Sequence, residues 1–290
     1  MSPTPRALCV QGLSLRLWDH GGDGPAALFL HGYLDTGRSF DAVAASLDGK
    51  VRALCLDLRG HGESERVGPG GSYHLLDHLK DVAVALTRLE EEGVPVACVV
   101  GHSMGGNVAL LLAGAWPERV ERLFLLDSLG APPEEPEEQP ARLGELLRSL
   151  EVERPFSPVR DEDDAIARLV ASNPGLSERG ARRMVAHVLV EDKEHPGLLR
   201  FPFDPRLRGP TPLRWPEAMW RALCARVTAQ VRVLRAEHGY VPEGEPAAGR
   251  LASLRDATLE TLPGVSHHVH VEAPEAVARA LRSLLDGEAT

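Results

Sequence analysis

Short apolar runs separated by longer amphipathic ones are the feature that most limits what this chain can fold into. The runs are "AALFLHG" (26–32), "VRALCLDLRG" (51–60), "VACVVGHS" (96–103), "VERLFLLD" (120–127), "VRVLRAE" (231–237) and "ATLETLP" (257–263). Several are apolar nearly throughout, as strands are when helices cover both faces of a sheet. The alternation predicts βαβ units and a mostly parallel sheet. Residues 7–18 add an antiparallel start, with alternation in "LSLRLW". At 43% hydrophobic residues over 290 positions, the chain can bury a large α/β core.

Helices are expected over 38–47, over 73–93 with Gly93 as C-cap, over 103–116 stopping before Pro117, and over 273–287, which has proline early and glycine at its end. The rhythm breaks between Asp127 and residue 231. There the spacing predicts helices over 141–152, 162–172 and 177–190 and no strand, until a helix opened by Pro216 (217–227) returns to the sheet. This divides the chain into a core of residues 1–130 and 215–290 and a helical insertion, or cap, of residues 131–214.

Composition excludes several classes of function. With 32 basic against 42 acidic residues, a net charge of −10 argues against a nucleic-acid or acidic-membrane partner. The acidic run at 132–140 reads as a solvated loop. Four cysteines without paired close spacing indicate neither a zinc knuckle nor a disulfide framework. Three of them (Cys9, Cys55 and Cys98) lie in β-like runs and are expected to be buried and reduced. The opening "MSPTPRALCV" lacks a signal-peptide pattern and no run reaches the length of a membrane span, so a soluble, cytoplasmic protein is expected. Nothing in the sequence bears on oligomeric state.

The chemistry centres on "VVGHSMGGNVAL", which holds Gly101-x-Ser103-x-Gly105. The bare pattern means little, but here a buried strand enters directly and an alanine-rich helix leaves directly. Such a strand–turn–helix strains the serine, exposes its hydroxyl and aims a helix N-terminus at negative charge forming on a substrate. The alternative is a glycine-rich helix start with an ordinary N-cap serine. In "LFLHGYLDTGRSF" (28–40), His31-Gly32 turns the chain so that the Tyr33 amide can share an oxyanion with the Met104 amide. His31, and His61 in "DLRGHGES" (57–64), are read as loop-holding residues.

Together "HGYLDTGRSF", "DLRGHGES", "GHSMGG" and "LPGVSHHVHVEAPE" resemble the α/β-hydrolase fold superfamily, in the family's order and across the chain outside the insertion. The form of the first motif, with "LLDSLG" after the sixth strand, is similar to the serine-hydrolase-like esterase branch. It also resembles the haloalkane dehalogenases, but those use an aspartate nucleophile and position 103 is serine. The resemblance implies an eight-stranded, mostly parallel sheet flanked by helices, with the cap inserted after the sixth strand. It also implies a base after the last strand. In "SHHVHVE" (266–272), Ser266 takes the usual glycine place and His267 the base, with His268 and His270 as neighbours. Three imidazoles so close in sequence cannot easily surround one ion, so no metal is expected.

The acid is less regular. Relatives place it after the seventh strand, where this chain reads "RAEHGYVP" and offers Gly239 or His238 instead of an aspartate. Two carboxylates remain: Asp127, at the end of the sixth strand, is preferred, and Glu237 is the alternative. The expected function is hydrolysis of small-molecule carboxylic esters by Ser103, His267 and Asp127 without a cofactor. Thioesters, lactones, amides and carbon–carbon bonds are rival substrates, and a non-catalytic binding protein on this fold is a rival of a different class. Phe156, Phe201, Phe203, Trp215 and Trp220 either line the substrate pocket or pack the cap.

Overall fold

A computed structural model describes residues 2–287 apart from His187. In chain order the elements are β1 (Thr4–Val10), β2 (Leu13–Asp19), β3 (Ala26–Leu30), α1 (Asp41–Ser46), β4 (Arg52–Leu56), α2 (Leu75–Glu91), β5 (Val96–His102), α3 (Met104–Ala115) and β6 (Arg122–Leu126). Then come α4 (Gln139–Ser149), α5 (Glu162–Ser172), α6 (Glu178–Val185), β7 (Val190–Glu191) and β8 (Leu199–Arg200). The chain closes with α7 (Glu217–Arg226), β9 (Gln230–His238), α8 (Ala247–Ser253), β10 (Ala257–Ser266), α9 (Val269–Glu272) and α10 (Pro274–Asp286).

Eight strands form one sheet in the order β1-β2-β4-β3-β5-β6-β9-β10. All neighbours pair in parallel except β1 with β2 and β2 with β4. The apolar runs become its central strands because both faces are covered. Leu28, Leu30 and Val99 face α2 and α3 in one core layer, while Phe29, Val100 and Phe124 face α1 and α10 in the other. The chain steps from β3 outward to β4, then back across β3 to β5. Their carboxyl ends therefore flank a topological switch point, where α/β sheets hold their ligands.

The segment between β6 and β9 carries α4, α5 and α6, as the spacing predicts, with two differences. The helix expected over 177–190 ends at Val185, and its remainder runs across His187, which lies outside the described residues. A two-residue antiparallel ladder, β7 with β8, follows where no strand was expected. So short a ladder, closed by the positive-φ Gly197, leaves no periodic trace. Ile166, Leu176, Met184 and Val185 form a small separate core that rests on Val271 of α9. Helix α7 returns to the main core with Trp220 fully buried. The cysteines are free; Cys55, Cys98 and Cys224 are buried, whereas Cys9 is exposed. Its neighbours Leu8 and Val10 turn inward from the edge strand β1, which leaves Cys9 on the outer side of the alternation. Among the described residues no helix is long and apolar enough to cross a membrane.

Candidate active site

Ser103 joins β5 to α3 with φ +51° and ψ −114°, a conformation that only a tightly held non-glycine residue keeps. The glycines around it explain how. A side chain on Gly105 would overlap the Leu30 carbonyl, and one on Gly101 would lie 2.5 Å from the Gly106 Cα. Gly32 is close as well: a Cβ there would stand 2.8 Å from the His102 Nδ1 and 3.4 Å from the Ser103 Cβ. The His31–Gly32–Tyr33 turn thus lies directly beside Ser103. Among the described residues, the amides of Tyr33 and Met104 donate to no protein acceptor. His31 and His61 hold this turn, as expected. His31 bonds to the Gly32 carbonyl (2.7 Å) and accepts from the Leu58 amide (3.0 Å), and His61 accepts from the Leu34 amide at 3.3 Å.

His267 follows β10, and its Nδ1 lies 2.6 Å from the Asp127 Oδ2, both side chains being almost fully buried. An ionised Asp127 makes Nδ1 the protonated nitrogen and leaves Nε2 as the basic one. Among the described residues Nε2 has no protein partner. Ser103 and His267 line one cavity of about 270 Å³ together with Leu129, Pro132 and Val241. No hydrogen bond joins Ser103 Oγ to Nε2; such bonds tighten when substrate is bound.

Asp127 has φ +43°, and its carboxylate also accepts the amides of Ala236 (3.1 Å) and Tyr240 (2.8 Å). It therefore lies against the end of β9, where relatives are expected to carry their acid. The residue in that place, Gly239, makes this possible, because a Cβ there would overlap the Asp127 carboxylate. Glu237 lies apart from His267. It is half exposed and accepts the Gly264 amide at 2.7 Å, bracing the last residues of β10 before His267.

Tyr240 was not singled out by sequence reasoning. Its ring stacks on His267 with centroids 3.9 Å apart while its amide holds Asp127, so one residue orients both partners. Glu272 had no assigned role either. It accepts from the Ser177 amide (2.6 Å) and hydroxyl (2.8 Å), tying the segment before α6 to α9, the short helix that follows His267. Of the five aromatic residues expected to line a pocket or pack the cap, none lines the cavity at Ser103. Trp215 and Trp220 pack together, Phe201 stacks with Phe203, and Phe156 lies under two arginines.

The three histidines of "SHHVHVE" do not converge on one point. Among the described residues the one His/Cys/Asp/Glu grouping within metal-ligating reach is Asp35, His102 and His270. His270 Nε2 lies 3.4 Å from Asp35 Oδ2, and His102 Nε2 lies 3.0 Å from the His267 carbonyl. This buried set backs His267. Burial and the nearby imidazoles push His102 well below the ordinary histidine range and His268 down to about 4. Burial likewise pushes His78 to about 3 and His61 well below its usual value.

These shifts set a pH dependence of stability. The four histidines stay neutral in the folded chain, whereas the unfolded chain protonates them below about pH 6.5. The unfolded state then binds more protons, so stability falls as pH drops from about 6.5 toward 4. His268 and His78 alone correspond to about 2 kcal/mol each between pH 7 and pH 5. Asp57 and Asp81, raised by burial, oppose this at lower pH, since they keep a proton more readily when folded. The urea midpoint is expected to be clearly lower at pH 5 than at pH 7; equal midpoints would contradict the burial of neutral histidines.

The family and the fold have counterparts among known proteins. The profile of the Alpha/beta hydrolase family matches residues 27–280. The chain belongs to that family. It is 28% identical to the human serine hydrolase-like protein 2, over 90% of this chain and 87% of that one. It is also 28% identical to a 3-hydroxybutyrate-oligomer hydrolase of Cupriavidus necator, over 97% and 98% of the two chains. A hypothetical protein of Pseudomonas aeruginosa PAO1 superposes with a TM-score of 0.83 at 29% identity, covering 99% of both chains. The α/β-hydrolase fold and the eight-stranded sheet expected from the motifs are thereby established.

Proposed function

We propose that this α/β hydrolase cleaves carboxylic esters of small to medium acyl chains through an acyl-enzyme. His267 takes the proton of Ser103 as its Oγ attacks the ester carbonyl, and Asp127 stabilises the imidazolium through Nδ1. The amides of Tyr33 and Met104 hold the oxyanion, helped by the N-terminus of α3. His267 then protonates the leaving alcohol, and in the second half it activates the water that frees the acid. Residues 131–214 act as a cap over this site. The observation that carries the reading is Ser103, strained at the switch point beside the Gly32–Tyr33 turn, sharing a cavity with an Asp127-backed His267. The cavity volume of about 270 Å³ lies just below the usual range of roughly 300–1,000 Å³ for ligand sites, which favours short acyl groups. The name of the Cupriavidus necator relative points to oxoesters as well.

A fluorophosphonate probe tests the mechanism. It is expected to label Ser103 stoichiometrically and to fail on Ser103→Ala. An unlabelled wild-type chain would overturn the reading in favour of a non-catalytic binding protein. With labelling established, p-nitrophenyl esters compared with matched thioesters, lactones and anilides decide the bond; a higher kcat/KM on any of these three than on oxoesters would displace the ester assignment.

A further inference from the structure

A second cavity of about 520 Å³ lies away from Ser103, between the loop holding Gly62 and Arg66 and the β7–β8 ladder. Its charged lining consists of Arg66, Lys193 and Arg200 against the single carboxylate Glu191. In a chain with a net charge of −10, this local excess of cations is unexpected. Arg66 and Arg200 lie over the same ring, with guanidinium carbons 4.9 and 4.1 Å from the Phe156 centroid. Stacking orients both planar groups, but it brings like charges together without neutralising either. Among the described residues neither forms an ion pair, and the buried Nη1 of Arg200 has no acceptor. Burial and the Arg66 charge push the Arg200 guanidinium below its ordinary range, while Asp192 and Glu194 offset this only from a distance. A buried donor without an acceptor is costly, and an arginine fork fits the two oxygens of a carboxylate or phosphate.

The walls of this cleft lead to the candidate oxyanion turn. Pro202 lines it, Phe203 bridges to His61, and the Leu207 carbonyl accepts the Tyr33 hydroxyl at 3.1 Å. On the other wall Gly62 follows His61, whose Nε2 accepts the Leu34 amide. Arg154 and Arg208 add positive charge near that turn: among the described residues both donate only to neutral oxygens, and their charges act on the Tyr33 hydroxyl.

We propose that this cleft is an anion-binding site that receives a carboxylate or phosphate borne by the substrate, remote from the bond that is cleaved. The substrate part of this proposal rests on the hydrolase reading above; the anion site itself does not. Two measurements separate them. Binding to Ser103→Ala protein is measured by calorimetry for monomethyl adipate, for the methyl ester of 6-phosphonooxyhexanoate and for neutral dimethyl adipate. At least one anionic ester is expected to bind 10-fold or more tightly than the neutral one, and the tighter of the two identifies the anion. Arg200→Gln, placed in the same background, is expected to remove that preference, with Arg66→Gln, at an exposed position, as a second variant. Turnover of the corresponding p-nitrophenyl esters is expected to show the same preference, mostly in KM. Anionic esters binding no better than the neutral one, or a preference unchanged in both arginine variants, overturns the proposal. Arginine-dependent anion binding without any turnover leaves the anion site standing and refutes both the hydrolase reading and the substrate role.

Discussion

Ser103→Ala is expected to lower kcat on a p-nitrophenyl ester by about 10⁶-fold, the scale seen when a triad loses its nucleophile. His267→Ala should cost about as much, and the double variant should be no slower than either single one, because the two groups act as a unit. Additive losses in kcat would mean that the residues act separately. Stability provides an independent readout. Ser103 holds φ +51° and ψ −114°, and glycine adopts that geometry without a Cβ penalty. Relief of such strain is worth about 1–3 kcal/mol, less part for the extra entropy of unfolded glycine. Ser103→Gly is therefore expected to be inactive yet more stable than wild type by about 1 kcal/mol, read from urea unfolding. A Ser103→Gly variant that is less stable would show that the turn does not store strain at this residue.

The parts of this molecule legible in the sequence are those whose signal is local. Strands covered on both faces must be apolar throughout, so β3, β5 and β6 stand out as uninterrupted runs. Ser103 is legible for the same reason: a strand, a small-residue turn and a helix are all written within a dozen positions. Asp127 and Glu237 were not separable in that way. The choice depends on a missing Cβ at Gly239, more than a hundred residues from Asp127, and on a positive φ at Asp127 itself. Tyr240 escaped notice for a related reason, since its stacking on His267 crosses from one loop to another. The cationic cleft is likewise assembled from Arg66 and the β7–β8 ladder, segments far apart in the chain whose charges look like ordinary surface positions in sequence.

Asp127→Asn is expected to lower kcat by about 10⁴-fold, because the amide favours the wrong imidazole tautomer while keeping the shape of the site. Glu237→Gln should stay within about twofold, as for a surface substitution away from the reacting groups. The reverse pattern would return the acid to Glu237. Gly239→Ala offers a steric version of the same experiment. Its new methyl group overlaps the Asp127 carboxylate, so the acid must move away from His267 Nδ1 and activity should fall although no reacting group has been replaced. A converse variant moves the acid itself. In Asp127→Gly the positive φ is relieved and the carboxylate's space is emptied, and Gly239→Asp then supplies a carboxyl group from just after β9, where the family resemblance leads one to expect the acid. The pair is expected to recover at least 10-fold of the activity lost in Asp127→Asn, with a folded chain verified by its urea midpoint. Recovery would mean that His267 requires a carboxylate at one point in space, whichever strand delivers it. A folded double variant no faster than Asp127→Asn would mean that Asp127 acts chiefly through the amides of Ala236 and Tyr240, as the residue that positions the end of β9.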